Sequence, residues 1–218
     1  MKNVLIIAPH PDDEVLGAGG VLARLAASDA DCRINILYVT RRSTPIWKTE
    51  QVELQEQSFK NIVKLLGAQK YCLDYPDIGL EQVPHRQLND SIAHVVRQVQ
   101  PTTAFIPHRG DLNLDHRIVA ESSLVALRPK VYPVRRILSY EVLSTTEKSI
   151  SPFEPNVFYD ISDFMNRKIE LCETYLSEIN NGDPDRTSEN IRAVARNRGI
   201  AAGCKFAEAF QLIRERNC

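Results

Sequence analysis

Two short stretches carry side chains that could do chemistry together. VLIIAPHPDDEVLGAGG, Val4 to Gly20, holds His10 and three carboxylates, Asp12, Asp13 and Glu14. PHRGDLNLDH, Pro107 to His116, adds His108 and His116 with Asp115. A loop that cradles phosphate wants glycines and few carboxylates. A catalytic zinc site wants about three His or carboxylate ligands and one open position for water. His10 and Asp13 can chelate from one tight turn, and His116 can close the triad from the second stretch. Asp12 then stands beside the metal but off it, where a general base must be to take a proton from water. Asp115 can hold a ligand histidine through its other ring nitrogen. Nothing in this assembly needs a redox metal.

Plainer readings exist for each part. Aspartates after a strand serve turns and helix N-caps, and one histidine in a loop is ordinary. The occurrence of both stretches at strand ends favours the metal site. Two histidines and a carboxylate also make the ligand set of non-haem Fe(II) oxygenases, but that leaves Asp12 without a role. A nucleotide-binding module with a capped helix is the non-catalytic alternative. Gly17 to Gly20 lack the GxGxxG spacing and lie inside a helical pattern, so they read as packing residues. His85 and His94 sit on a helical pattern away from strand ends. Arg41 and Arg42 follow a strand and could hold a substrate phosphate or carboxylate; a solvated loop is the other reading. Glu141, at the end of SYE, is a candidate substrate contact or an ordinary strand-end residue.

The elements that must position these residues alternate. NVLIIAPH reads as a strand buried on both faces, and DEVLGAGGVLARLAAS as a helix. RINILYVT is a strand, EQVELQEQSFKNIVKLLG an amphipathic helix ended by Gly67, and KYCLDY a strand. HRQLNDSIAHVVRQVQ is a helix stopped by Pro101, TTAFIPH a strand, and DHRIVAESSLVAL a helix. RRILSYEV and NVFYDIS follow as strands without a helix between them. DFMNRKIELCETYLSEI and SENIRAVARNRGIAAGCKFAEAFQLIRER read as helices, joined by a loop at Asn180–Pro184. This βαβα order predicts an α/β fold, a Rossmann-like three-layer sandwich: a mostly parallel central sheet with helices on both faces. In such sheets ligands bind at the carboxyl ends of strands, where both stretches fall.

The 218 residues suit a single domain over 1–218 with a sizeable core. Hydrophobic residues at 43% and charged residues at 25% are globular values, and a net charge of -1 does not suggest nucleic acid or an anionic membrane as partner. The five cysteines form no CxxC pair and are odd in number, which fits a reducing cytoplasm better than a disulfide framework. No run approaches a membrane span. Oligomeric state is not legible, and a homo-oligomer is compatible with the sequence.

APHPDDE resembles the AHPDDE signature of the LmbE-like (PIG-L) family of zinc-dependent N-acetyl-sugar deacetylases. GDLNLDHR is similar to that family's downstream block, and PNVFYDIS, KIELCETYLSE and RGIAAGCKFAEAF to its later segments. The resemblance implies His10, Asp13 and His116 as ligands of zinc; by its chemistry such a donor set can also take Fe(II) or Co(II). It implies Asp12 as general base, Asp115 as an orienting residue, and a small-molecule or glycan-linked N-acetyl sugar as substrate, with an amidase of the same family acting on a thiol-sugar conjugate as the alternative. Many members carry an oxyanion-stabilising histidine where this chain has Asn113. Asn113 as a neutral donor, or His108, would then take that role.

Overall fold

The computed structural model describes residues 1–28, 32–179 and 184–217. The strands are β1 (Asn3–Ala8), β2 (Arg33–Arg41), β3 (Gln69–Pro76), β4 (Thr103–Pro107), β5 (Arg136–Tyr140), β6 (Val157–Asp160) and β7 (Ala207–Glu215). They form one sheet in the order β3-β2-β1-β4-β5-β7-β6. β1 to β5 pair in parallel, and β7 runs antiparallel to both β5 and β6. Helices α1 (Asp13–Ser28), α2 (Thr49–Leu66), α5 (Met165–Ile179) and α6 (Ser188–Ala202) cover one face. Helices α3 (His85–Val99) and α4 (Leu114–Ala126) cover the other. The expected three-layer α/β architecture is what the chain forms.

Every residue of β1 is buried: Val4, Ile6 and Ala8 face the α1 side, Leu5 and Ile7 the α3 and α4 side. Each of the larger aliphatic side chains contributes roughly 1.5–3 kcal/mol by leaving water. Strand order reverses at β1, which pairs with β2 on one side and β4 on the other. The carboxyl ends of β1 and β4 are therefore neighbours at a topological switch point. α1 lies close on the sheet because Gly17 and Gly20 lack side chains. A Cβ would fall 2.3 Å from the Tyr140 ring at Gly17 and 2.7 Å from Ile161 at Gly20.

One expected element is wrong. The helix predicted to run from Ser188 to Arg216 stops at Ala202, and Gly203 at φ 73° ends it. Residues 207–215 form β7 between β5 and β6. Ala and Glu favour helix, but Ala207, Ala209 and Phe210 are buried within the sheet, and that packing overrides propensity. The loop expected at Asn180–Pro184 lies, apart from Pro184, outside the described residues. Among the described residues no helix is long and apolar enough to cross a membrane.

Candidate metal centre

The turn after β1 is built to present side chains. Asp12 takes φ 134°, a conformation non-glycine residues rarely adopt. Its carbonyl accepts the N–H groups of Val15 and Leu16 and so starts α1. Its own N–H donates to Glu14 Oε2 at 3.0 Å. Glu14 is fully buried, and its Oε1 accepts from the hydroxyls of Tyr38 at 2.9 Å and Tyr175 at 2.8 Å. Burial pushes the Glu14 carboxyl up to about 7 despite these donors. A strained backbone position is thus held from α1, β2 and α5 at once.

His10, Asp13 and His116 converge. His10 Nδ1, Asp13 Oδ2 and His116 Nε2 form a triangle whose three edges are each 3.3 Å. Tetrahedral coordination with bonds near 2.0–2.1 Å separates its ligand atoms by about 3.3–3.4 Å. Asp13 Oδ1 is buried and, among the described residues, has no hydrogen-bond partner. Burial disfavours the imidazolium of His10, yet the contacts with Asp115 and Asp13 and the charges of Asp13 and Asp77 hold its pKa well above the ordinary value. Burial likewise opposes charge on His116, but Asp13 and Asp111 carry it up to about 9. Asp13 is held well below the usual carboxylate range by the two histidines, against the effect of burial. The triad therefore stabilises positive charge at its centre, which a divalent cation supplies. The donors, their spacing and their electrostatics fit a metal ion, and the three form a group that could hold one.

The outer nitrogens of both histidines face carboxylates. His10 Nε2 lies 3.1 Å from Asp115 Oδ2 and 3.4 Å from Asp77 Oδ1. Asp115 also accepts from the N–H groups of Ile78 and Leu80, at 3.3 and 3.4 Å. His116 Nδ1 lies 3.3 Å from Asp111 Oδ1. Asp111 is fully buried; its Oδ2 accepts from Thr145 and Thr146 hydroxyls in the loop after β5. Asp12 stands beside the triad, near enough to feel the charges of Asp13, His10 and His116. Its Oδ2 accepts from Arg186 Nη1 at 2.9 Å. Burial pushes Asp12 up to about 6, opposed by the Arg186 guanidinium.

The remaining candidates are placed differently. Asn113 is the N-cap of α4: its Oδ1 accepts from Asp115 N–H at 2.9 Å, and its own N–H donates to Asp111 at 2.8 Å. His108 is buried with Nε2 3.1 Å from the Ser151 carbonyl oxygen and its ring edge on Phe153. Arg42 lies over the Trp47 ring, with Nε 3.7 Å from Asp77 Oδ2, and so adjoins the site. Arg41 pairs with Glu56 at 2.9 Å and Asp74 at 3.6 Å, and both arginines line an outer groove beside α2. Glu141 accepts from Arg198 of α6 through both oxygens, at 2.9 and 2.6 Å.

Asp77, Asp111 and Arg186 were not among the expected site residues. Asp111 lies inside the quoted GDLNLDH, and Asp77 follows a strand end, so both carried a signal. Arg186 carried none: it meets Asp12 across 174 positions of sequence.

The model of the PIG-L family, GlcNAc-PI de-N-acetylase, matches residues 5–127. Diacetylchitobiose deacetylase of Thermococcus kodakarensis is 26% identical over 98% of this chain and 84% of its own length. The uncharacterized deacetylase YaiS of Escherichia coli is 31% identical over 74% of this chain and 83% of its own. The crystal structure of the conserved protein TT1542 from Thermus thermophilus superposes with a TM-score of 0.82 and 26% identity, covering 100% of this chain and 97% of that one.

Proposed function

Because this chain belongs to the PIG-L family of GlcNAc-PI de-N-acetylases, we propose that it is a metal-dependent hydrolase that removes the acetyl group from an N-acetylated sugar. The observation that carries this reading is the 3.3 Å triangle of His10, Asp13 and His116 with the Asp12 carboxylate beside it. Those three side chains hold the ion, zinc in this reading, with Fe(II) or Co(II) able to use the same donors. Bound there, the ion supplies Lewis acidity to the acetamide carbonyl and to water.

The chain's own residues do the rest. Asp12 accepts the proton that water loses as it attacks the carbonyl carbon. It returns that proton to the sugar nitrogen as the C–N bond breaks, leaving acetate and a free amine. Asp115 fixes the ring orientation of His10, and Asp111 sets a carboxylate 3.3 Å from His116 Nδ1. Asn113 is the better oxyanion donor: its side-chain oxygen caps α4, so its NH2 group is what it can offer a substrate. His108 Nε2 is engaged with Ser151. Arg42, beside Asp77 and next to the site, serves polar groups of the substrate. Arg41 and Glu141 are held by partners of their own and belong to the groove edge and the fold.

The test is metal analysis of protein purified without chelator, followed by an acetate-release screen over free, lipid-linked and thiol-conjugated N-acetyl sugars. Asp12→Asn should keep the metal and lose about 100-fold or more in rate. Full activity of that variant would remove Asp12 from the mechanism.

A further inference from the structure

The loop that follows β5 touches both halves of the chemistry. Thr145 and Thr146 donate to Asp111, at 3.1 and 2.5 Å, and Asp111 faces His116. The neighbouring Leu143 carbonyl and Ser144 Oγ accept from Arg186 Nε at 3.2 and 2.9 Å. Ser144 takes φ 80°, and its N–H donates to Glu147 Oε2 at 2.9 Å. A left-handed backbone at a serine is costly and persists where surrounding contacts hold it. Here it turns two oxygens towards one guanidinium. Arg186 Nη1 then reaches Asp12 Oδ2 at 2.9 Å; both side chains are about nine-tenths buried, at 13% and 12% exposure.

We infer that Arg186, anchored by Leu143 and Ser144, is the positioning residue of Asp12. It holds one carboxylate oxygen and thereby sets where the other points. This rests on the reading of Asp12 as base. A planar guanidinium suits that role, because Nε is fixed to the loop while Nη1 is fixed to the carboxylate. The separation between loop and base is then set by a rigid group. A lysine's three donors radiate from one nitrogen and lack the fixed spacing between Nε and Nη1. The consequence is that the working base is assembled from two distant parts of the chain. The family match ends at residue 127, and both Arg186 and the loop that anchors it lie beyond that point. The turn at Asp12 supplies the carboxylate; the second half of the chain supplies its orientation.

Arg186→Ala and Arg186→Lys in the full-length protein test this, with kcat, KM, metal content and thermal unfolding measured for each. Arg186→Ala should lose on the order of 100-fold in kcat, the scale of a displaced catalytic group, with metal content unchanged and KM within a few-fold. Arg186→Lys should fall between the two. Added guanidinium or methylguanidinium should restore part of the activity of Arg186→Ala and none of Asp12→Asn. Wild-type kcat in Arg186→Ala would overturn the inference. So would a loss that follows metal loss or unfolding and is not rescued, since Arg186 would then serve the fold alone. An active Asp12→Asn would instead overturn the reading of the base itself, so the two failures are distinct.

Discussion

The end of β1 and the loop after β5 stand on the same edge of the sheet and do different work. The first presents His10 and Asp13 to each other at 3.3 Å and carries Asp12 between them, all within four residues. The second presents no side chain to the triad. It offers hydroxyls and a carbonyl that hold Asp111 and Arg186, and those in turn hold His116 and Asp12. Reacting groups are thus gathered on one tight turn, while their orientation comes from across the sheet. The turn braces one of its own side chains, since the His10 N–H donates to Asp13 Oδ2 at 2.9 Å, whereas Asp12 and His116 meet partners held by the β5 loop.

That division predicts how damage differs. Substituting a brace should weaken what it holds while leaving the reaction possible. Asp111→Asn should lower metal affinity about 10- to 100-fold, the usual cost of losing the carboxylate behind a ligand histidine. kcat measured at saturating metal should stay within a few-fold of wild type. Thr146→Val should do the same more mildly, because Thr145 still donates to Asp111. Metal titration with activity readout separates this from damage at the first turn: kcat lost at saturating metal would mean the β5 loop takes part in the reaction.

The pH profile tests the other side. Asp12 must be ionised to accept a proton, and burial pushes it up to about 6. Activity is then present at higher pH and falls as pH drops through the carboxyl's titration. A cation in the triad favours the ionised form, so the acidic limb of kcat/KM should have its midpoint at or below about 6. A limb centred well above that would assign the titration to another group and separate Asp12 from the base role.

The β1 turn was readable in the sequence because its residues are contiguous. His10, Asp12 and Asp13 announce themselves by type, and His116 needed only the rule that β1 and β4 end side by side. The alternation of apolar runs placed the five parallel strands to within two residues at each end. The β5 loop was not readable. Leu143 and Ser144 act through a carbonyl and a hydroxyl, which carry no signature, and Arg186 is one arginine among many until the fold brings it to Asp12. β7 was missed for a related reason. Its Ala-Glu-Ala start favours helix locally, and only pairing with β5 and β6 makes it a strand. Glu14 was visible as a third carboxylate, but its work on the Asp12 N–H depends on Tyr38 and Tyr175, far apart in the chain.

Arg41 and Arg42 give the smallest and sharpest test, since they are adjacent and chemically identical. In sequence both reach the crevice rim. In the fold their partners differ: Arg41 is the last residue of β2 and Arg42 the first beyond it. Arg41, 38% exposed, is paired with Glu56. Arg42, 18% exposed, lies over Trp47 near Asp77, whose other oxygen faces His10. Arg41→Ala removes a solvated pair of the kind typically worth about 1 kcal/mol or less, so kcat/KM should change about two-fold at most. Arg42→Ala should raise KM several-fold, with kcat close to wild type. Both arginines line the outer groove with Glu53 and Asp74, so equal effects of the two substitutions would mean that this groove, and not the contact of Arg42 with Asp77, sets their role in binding substrate.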